Sequence, residues 1–212
     1  MDVTVFGGTG KIGRLVLQRL LDDGHRVTAL VRSPDKLDPA HPDLHVVVAE
    51  LSDVDAVDRA VEGADAVIST LGPPIDPLLT EVPLTEGTRT IVAAMHRHGV
   101  RRIVALSTVS VPDPRDRPSV LERLLPIGIG VLIPGALREV QGITEVISTS
   151  ELDWTIARIF APVDNPSNHT LKAGFLGRDD IGVPMTRVDI AGFLVDQLTS
   201  DEFVGAAPAI SN

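Results

Sequence analysis

The chain has 212 residues, of which 43% are hydrophobic and 23% charged, so it can bury one substantial core and residues 1–212 are expected to form a single domain. Its 29 acidic and 19 basic residues give a formal charge of −10, which disfavours binding to nucleic acid or to an anionic membrane surface. Cysteine is absent, which excludes disulfides, thiolate catalysis and cysteine-ligated metals. The first apolar strand begins at residue 3 with no signal segment before it, so a cytoplasmic location is expected.

Short apolar runs rich in valine and isoleucine alternate with segments of helical periodicity. The runs are typical of strands buried on both faces, and they span residues 3–6, 27–31, 44–48, 66–69, 103–106 and 154–159. Helices are predicted after the first, third and fourth of these strands, where apolar residues recur at helical spacing. Gly24 and Gly99 stand where a left-handed residue ends a helix, and Asp53 is predicted to cap one. The alternation predicts an α/β fold with a doubly wound parallel sheet, the Rossmann fold.

The last third of the chain has a different pattern, with a Pro/Asn-rich loop over 162–168, a glycine-rich stretch over 174–182 and a predicted helix over 188–198. Ligands of doubly wound sheets bind outside the carboxyl ends of the strands, so the loops there are expected to form one rim. Residues 109–140 and 161–185 would supply its substrate side. The apolar segment Leu124–Leu137 is too short to span a bilayer and would be a wall or lid of the site, or a subunit contact. The predicted oligomeric state is therefore either a monomer or a homodimer.

A glycine loop follows the first strand and leads directly into a helical pattern. Gly7, Gly10 and Gly13 are spaced by three. In such a loop the first glycine permits a tight turn, the second lets the backbone approach a pyrophosphate, and the third lets the helix pack closely. Its position between a strand and a helix favours a dinucleotide site over a merely structural turn. The predicted pyrophosphate loop also includes Thr9, Lys11 and Ile12.

The second strand is followed by Arg32 and Ser33, where a site that prefers NAD usually has an acidic residue for the ribose 2′-hydroxyl. A guanidinium can instead bind a 2′-phosphate through two hydrogen bonds, with Ser33 donating and Lys11 or Lys36 adding charge. The predicted cofactor is therefore NADP(H). The alternative is an arginine that merely faces solvent. Glu50 and Leu51, after the third strand, are predicted to flank the adenine.

Taken together, these motifs resemble those of the atypical short-chain dehydrogenase/reductases, in the branch with the NmrA-like proteins and the biliverdin/flavin reductases. The resemblance extends over essentially the whole chain. Besides the glycine loop and 31–33, it rests on 65–72, 103–108, 152–156 and 189–191. It implies that Leu71 and Gly72 line the cofactor and that Ser107 lies beside the nicotinamide.

The proton donor usual in that superfamily, a tyrosine with a lysine four residues later, is absent because the chain contains no tyrosine. By the resemblance, Leu137 and Gln141 stand near those two positions. The side chains predicted to remain near the nicotinamide are Ser107 and Thr108, although serine and threonine at strand ends also serve simply to close turns. His169 is a further candidate, with solvent exposure as the alternative.

No metal site is predicted, because His96 and His98 are two residues apart and so lie on different faces of one helix.

Without a side chain that donates a proton, the favoured acceptors of hydride are conjugated molecules such as flavins or quinones. Their reduced anions are delocalised and can be protonated by water. The sequence therefore predicts an NADPH-dependent reductase of a small conjugated acceptor. The alternative is a non-catalytic NADP(H) redox sensor of the NmrA-like type, and an isomerase or dehydratase is a third possibility. If Phe160 and Met185 filled the space over the nicotinamide, the redox sensor would be favoured.

Overall fold

The computed structural model describes residues 1–37, 41–74, 76, 83–117, 133–167 and 170–212. The predicted His169 and residues 124–132 of the apolar segment lie outside these ranges. Within them, no helix has the length and apolar character needed to cross a bilayer.

Eight strands form the main sheet, and its core is parallel. The strands are β1 (Asp2–Phe6), β2 (Arg26–Val31), β3 (Leu44–Val48), β4 (Ala66–Ser69), β5 (Arg102–Thr108), β6 (Asp153–Ile159), β8 (Lys172–Gly174) and β10 (Ala209–Ser211). Their order is β3-β2-β1-β4-β5-β6-β10-β8, and only β8 pairs antiparallel, with β10. The short strands β7 (Pro162–Val163) and β9 (Met185–Thr186) pair separately. The order of the first six strands is that of a dinucleotide-binding Rossmann sheet, so the predicted fold class is confirmed.

Five α-helices cover the two faces of the sheet in the described part of the chain. They are α1 (Lys11–Asp22), α2 (Val54–Val61), α3 (Pro83–His98), α4 (Pro134–Ser148) and α5 (Arg187–Asp196). Val16 and Leu20 of α1 and Leu194 of α5 pack on one face. Val57, Met95 and Ile147, from α2, α3 and α4, pack on the other face. Burial on both faces explains why the sequences of the inner strands are almost continuously apolar. The prediction of burial on both faces was wrong for β3, which lies at the edge of the sheet and has no fully buried residue.

The predicted helix ends are confirmed where local chemistry dictates them. Gly24 and Gly99 have φ values of 77° and 69°, the left-handed conformation that follows a helix C-terminus. The carboxylate of Asp53 accepts a hydrogen bond from the Ala56 amide at 3.0 Å and caps α2. The last predicted helix is confirmed with shifted bounds, as Arg187–Asp196 in place of 188–198.

A buried carboxylate fixes helix α4 against the start of α3. Glu139 is 1% exposed and accepts hydrogen bonds from the amides of Leu84 and Thr85 at 2.8 and 2.9 Å. The N-terminal amides of α3 have no partner within their own helix, so a residue of α4 satisfies them. The two helices, which border different parts of the site described below, are thereby held together.

Candidate cofactor and substrate site

The glycine loop adopts the conformation that its spacing predicts. Gly7 has a φ of 84°, and its carbonyl accepts a hydrogen bond from the Gly10 amide at 3.0 Å. A Cβ on Gly13 would lie 2.2 Å from the Gly7 oxygen, and one on Gly7 would lie 2.7 Å from Thr70 Oγ1. Side chains at these two positions would therefore force the loop and helix apart.

The N-terminus of α1 fits a phosphate group. Gly10 is the N-cap residue and has no side chain to satisfy the first amides of the helix, and the earliest intrahelical bond runs from Arg14 to Gly10 at 3.0 Å. The amides of residues 11–13 are thus available at the positive end of the helix dipole. Such a cradle matches the pyrophosphate of a dinucleotide.

A cavity of about 320 Å³ opens beside this loop. It brings together eight of the predicted cofactor residues, which are Gly7, Thr9, Gly10, Arg32, Glu50, Leu51, Leu71 and Gly72. The wall opposite the loop is completed by Pro83 and Leu84 at the start of α3. A volume of this size suits the adenosine half of a dinucleotide, and we call it the adenosine cavity.

Arg32 lies on the rim of this adenosine cavity and is exposed. Among the residues that the structure describes, it has no ion-pair partner. Ser33, next in the chain, precedes a short 3-10 helix (Pro34–Lys36) and does not line the cavity. The guanidinium is therefore the group best placed to bind an anion at this end.

Lys11 takes a different position from the one predicted for a 2′-phosphate partner. Its ammonium lies 3.1 Å from Asp164 Oδ2, in the loop that follows β7, and it does not line the adenosine cavity. The other oxygen of Asp164 accepts a hydrogen bond from Arg187 at 2.5 Å. The hydrogen bond from Lys11, together with that from Arg187, lowers the pKa of Asp164. We call this arrangement of Lys11, Asp164 and Arg187 the ionic clasp.

A second cavity, of about 360 Å³, meets the first at Leu71 and Gly72. We call it the acceptor cavity. It opens at the carboxyl ends of β4, β5 and β6 and is closed on one side by α4. Most of its lining is apolar, and the side chains that α4 contributes include Leu137 and Val140. No ionisable side chain lines it within the described ranges. The remaining lining consists of Pro73, Leu106, Ser107, Thr108, Val109, Ser110, Ile133, Ala136, Ile143, Ile159, Phe160, Ala161 and Pro162.

Phe160 and Met185, which in the sensor hypothesis would fill the acceptor cavity, do not fill it. Phe160 forms part of the wall, whereas Met185 is fully buried in the core on the α1 face of the sheet. Leu137, which stands near the usual tyrosine position, lines the cavity, and Gln141 is exposed outside it. The site thus offers space above the dinucleotide cleft without an ionisable proton donor among its described lining residues.

Three hydroxyl side chains line the acceptor cavity, and each is hydrogen-bonded to another hydroxyl. Ser107 at the end of β5 is 5% exposed, and its Oγ lies 3.0 Å from Thr144 Oγ1 on α4. Thr108 and Ser110 are hydrogen-bonded to each other. The predicted Ser107 and Thr108 are therefore brought to the same cavity.

A buried ion pair anchors the segment that carries Val109 and Ser110. The guanidinium of Arg158, on β6, makes two hydrogen bonds to Asp116, at 2.6 and 2.8 Å, and the two side chains are 0% and 4% exposed. Burial alone would raise the pKa of Asp116, but the bonds from Arg158 and from two backbone amides hold this pKa below its ordinary value. The segment that follows β5 is therefore fixed to the sheet.

A sequence model of the NAD(P)H-binding family matches residues 7–201. The chain belongs to this family. The nicotinamide dinucleotide predicted from the glycine loop is thereby confirmed as its cofactor class.

Several curated reductases and dehydrogenases align with part of this NAD(P)H-binding chain. It is 33% identical over 171 residues to a 3-diazoavenalumate denitrifying reductase of a Streptomyces species, covering 74% of this chain and 55% of that protein. It is 35% identical over 121 residues to a 3 beta-hydroxysteroid dehydrogenase/Delta 5-->4-isomerase of Mycobacterium tuberculosis, covering 51% and 32%. The chain thus spans between 32% and 55% of the length of these two relatives.

Solved structures confirm the fold across the whole chain. A short-chain dehydrogenase/reductase from Veillonella parvula in complex with NADP has a TM-score of 0.81 at 18% identity, covering 100% of this chain and 94% of that one. ChuY, an anaerobillin reductase from Escherichia coli O157:H7, has a TM-score of 0.75 at 19% identity, covering 100% and 97%. The predicted resemblance to short-chain dehydrogenase/reductases is confirmed.

Among the side chains that contact predicted site residues, Ser110, Thr144 and Asp164 were not singled out from the sequence. Ser110 lies in the segment after β5, and the hydroxyl pattern Ser107, Thr108, Ser110 was a signal that could have indicated it. Thr144 and Asp164 had no such signal, because they meet Ser107 and Lys11 across 37 and 153 residues of sequence.

Proposed function

We propose that this protein is an NADPH-dependent reductase that transfers hydride to a small conjugated acceptor, such as a quinone or flavin, without a tyrosine/lysine acid pair. One observation carries the proposal. An open, apolar cavity adjoins the adenosine cavity at Leu71 and Gly72, and its described lining offers hydroxyl groups but no ionisable side chain.

The cofactor roles in this proposal follow the geometry of the first cavity. The glycine loop and the first amides of α1, from Gly7 through Thr9, Gly10, Lys11 and Ile12 to Gly13, would hold the pyrophosphate. Arg32, with Ser33, would bind the 2′-phosphate that distinguishes NADP from NAD. Glu50 and Leu51 would flank the adenine, and Leu71, Gly72 and Ser107 would border the nicotinamide end.

The chemistry of the acceptor follows from the missing proton donor. NADPH supplies a hydride; with one proton, a quinone then becomes a hydroquinone and NADP⁺ is formed. A ketone would yield a strongly basic alkoxide, which needs an acid that the described cavity lining does not offer. A quinone or flavin yields a delocalised anion that water can protonate. The apolar walls would orient a flat ring beside the dinucleotide.

The wider proposal places 109–140 and 161–185 on the acceptor side of one domain spanning 1–212. Val109, Ser110, Ala136, Ala161 and Pro162 from these two stretches line the acceptor cavity. The ligands would be small molecules, and the protein would work in the cytoplasm as a monomer or homodimer.

The test is steady-state oxidation of NADPH by the purified protein, followed by its absorbance, with menadione, FMN and cyclohexanone as acceptors. We expect turnover with menadione or FMN, and a rate with cyclohexanone lower by about 100-fold or more, since general acid catalysis contributes about 10²- to 10⁴-fold where it is needed. Reactions without protein give the background rate. NADPH binding without turnover of any conjugated acceptor would contradict the reductase and support the redox sensor.

A further inference from the structure

The hydroxyl groups at the acceptor cavity differ in whether their protons are free. Each serine or threonine hydroxyl has one proton to donate and lone pairs to accept. Ser107 contacts Thr144, and Thr108 contacts Ser110, so the partners of each pair determine which proton can reach a ligand.

The proton of Ser107 is used within the protein. Thr144 Oγ1 lies 2.8 Å from the carbonyl oxygen of Val140, which can only accept, so Thr144 donates its proton to that oxygen. The 3.0 Å contact between Ser107 and Thr144 is then satisfied with Ser107 as the donor. The opposite direction would leave the Val140 contact unmade and the Ser107 proton pointing into an apolar cavity. Ser107 therefore turns lone pairs, and no proton, toward a ligand.

Within the part of the chain that the structure describes, the second pair retains a free proton. Thr108 and Ser110 both line the acceptor cavity, and each is the hydroxyl partner of the other. One of the two protons is used between them, and the hydroxyl that accepts this bond keeps its own proton. Whichever direction the bond takes, the pair presents one donor at the cavity wall, strengthened because the same oxygen is accepting a hydrogen bond.

We propose that the Thr108–Ser110 pair is the hydrogen-bond donor for the carbonyl oxygen of a neutral, conjugated acceptor, and that Ser107 acts only as a hydrogen-bond acceptor. The assignment rests on the proposed function and narrows the substrate class to compounds with a carbonyl oxygen conjugated to an apolar ring. A donor at this oxygen stabilises the negative charge that develops on it as the ring is reduced.

The main test compares the single variants Thr108→Val and Ser110→Ala with the double variant. Either single variant keeps one hydroxyl with a free proton, whereas the double variant keeps none. We expect each single change to alter the Kd of menadione for the NADP⁺-loaded protein and the kcat/KM by less than about twofold, and the double change to weaken both by about tenfold. Calorimetry gives the Kd without turnover, and the Kd of NADPH should stay unchanged.

The matched control is Thr90→Val with Ser148→Ala. Both hydroxyls are exposed and donate to carbonyls of their own helices, so their loss should leave menadione binding as it is in the wild type. A single variant as damaging as the double variant would contradict donor exchange within the pair. A silent double variant, together with a tenfold loss in Ser107→Ala, would make Ser107 the donor and overturn the assignment.

A second measurement applies even where the double variant does not fold. Menadione and 2-methylnaphthalene share their rings, but only menadione has carbonyl oxygens. We expect the affinity advantage of menadione to persist in Ser107→Ala, and its disappearance there would overturn the assignment. Menadione binding with this advantage but without turnover in the wild type would contradict the reductase and support the donor pair; absence of menadione binding would overturn both.

Discussion

Arg32 is the one cationic side chain among the described residues that line the adenosine cavity. It is exposed on the cavity rim, and among the described residues no carboxylate is paired with it. A guanidinium can make two charge-assisted hydrogen bonds to a phosphate, but it gains much less from a neutral ribose hydroxyl. The proposed preference for NADPH therefore depends on this side chain.

Changing Arg32 to Asp removes the phosphate partner and adds a repelling charge. We expect the Kd of NADPH, measured by fluorescence titration, to rise by about 10- to 100-fold, since hydrogen bonds to charged groups contribute about 1.5–3 kcal/mol. The Kd of NADH should change little. Arg59→Asp, at an exposed position of α2, makes the same change in charge away from the cavity and serves as the control. Equal losses for both cofactors would show that Arg32 does not bind the 2′-phosphate.

The sequence predicted the residues that line the first cavity better than those that line the second. The glycine loop and Arg32 directly follow strands, so strand periodicity alone places them at the carboxyl edge of the sheet. Thr144 lies on a helix whose orientation is set by packing, including the close approach of Gly142 to Thr85. No local pattern predicts that Thr144 rather than Gln141 reaches Ser107.

At the scale of elements, the ionic clasp joins the start of α1, the loop after β7 and the start of α5. Lys11 and Asp164 are 65% and 63% exposed, whereas Arg187 is 17% exposed. The single carboxylate of Asp164 thus pairs with two cations. An incoming pyrophosphate would compete with it for these cations.

Replacing Asp164 with Asn frees both cations and removes a negative charge near the phosphate loop. We expect NADPH to bind about two- to fivefold more tightly at low ionic strength, an effect in the range of exposed ion pairs, with the gain shrinking as salt is added. Titrations over a salt series would measure it. Asp180→Asn breaks a similarly exposed pair with Lys172, remote from the loop, and should leave the Kd unchanged. Weaker binding in Asp164→Asn would mean that Asp164 supports the loop instead of competing with the cofactor.

The elements themselves were predictable to different degrees. The first six strands are long, apolar and bounded by turn residues, and all six lie where the periodicity places them. The three-residue strands β8 and β10 are too short to show any period and depend on pairing with each other and with β6. Helix α4 was also not predicted, since its buried face includes Gly135, Ala136 and Glu139 among the larger apolar residues.

At the scale of the whole molecule, the buried pair of Arg158 and Asp116 joins distant parts of the chain. Arg158 also donates to the Ala207 carbonyl at 2.6 Å, and Asp116 accepts from the Leu176 amide at 2.9 Å. The pair therefore connects β6 with the segments before β10 and after β8, and with the segment after β5 that presents Ser110.

Asp116→Asn leaves a buried guanidinium without its counter-charge. We expect the free energy of unfolding to fall by about 3–5 kcal/mol at neutral pH, as measured by urea denaturation. Asp153→Asn is the matched control, because it breaks an aspartate–arginine pair whose side chains are 45% and 65% exposed, and its effect should be much smaller. Similar losses in the two variants would show that the buried pair has no special role in stability.

The difference between the wild type and Asp116→Asn should also depend on pH. Because the folded protein holds the pKa of Asp116 below its ordinary value, this carboxylate stabilises the fold fully above the unfolded pKa of about 3.9. The stabilisation is lost as the pH falls through the lower, folded pKa. The difference should therefore be constant from neutral pH to mildly acidic pH and shrink only in strong acid.

Leu71 and Gly72 border both cavities, so neither cavity is complete without them. In the proposed reductase, a dinucleotide in the first cavity covers these residues and becomes part of the floor on which the acceptor rests. The two ligands would then add in a fixed order, with NADPH first and the acceptor second. Because coupling between two binding sites is reciprocal, a bound acceptor would also raise the affinity of the protein for the cofactor.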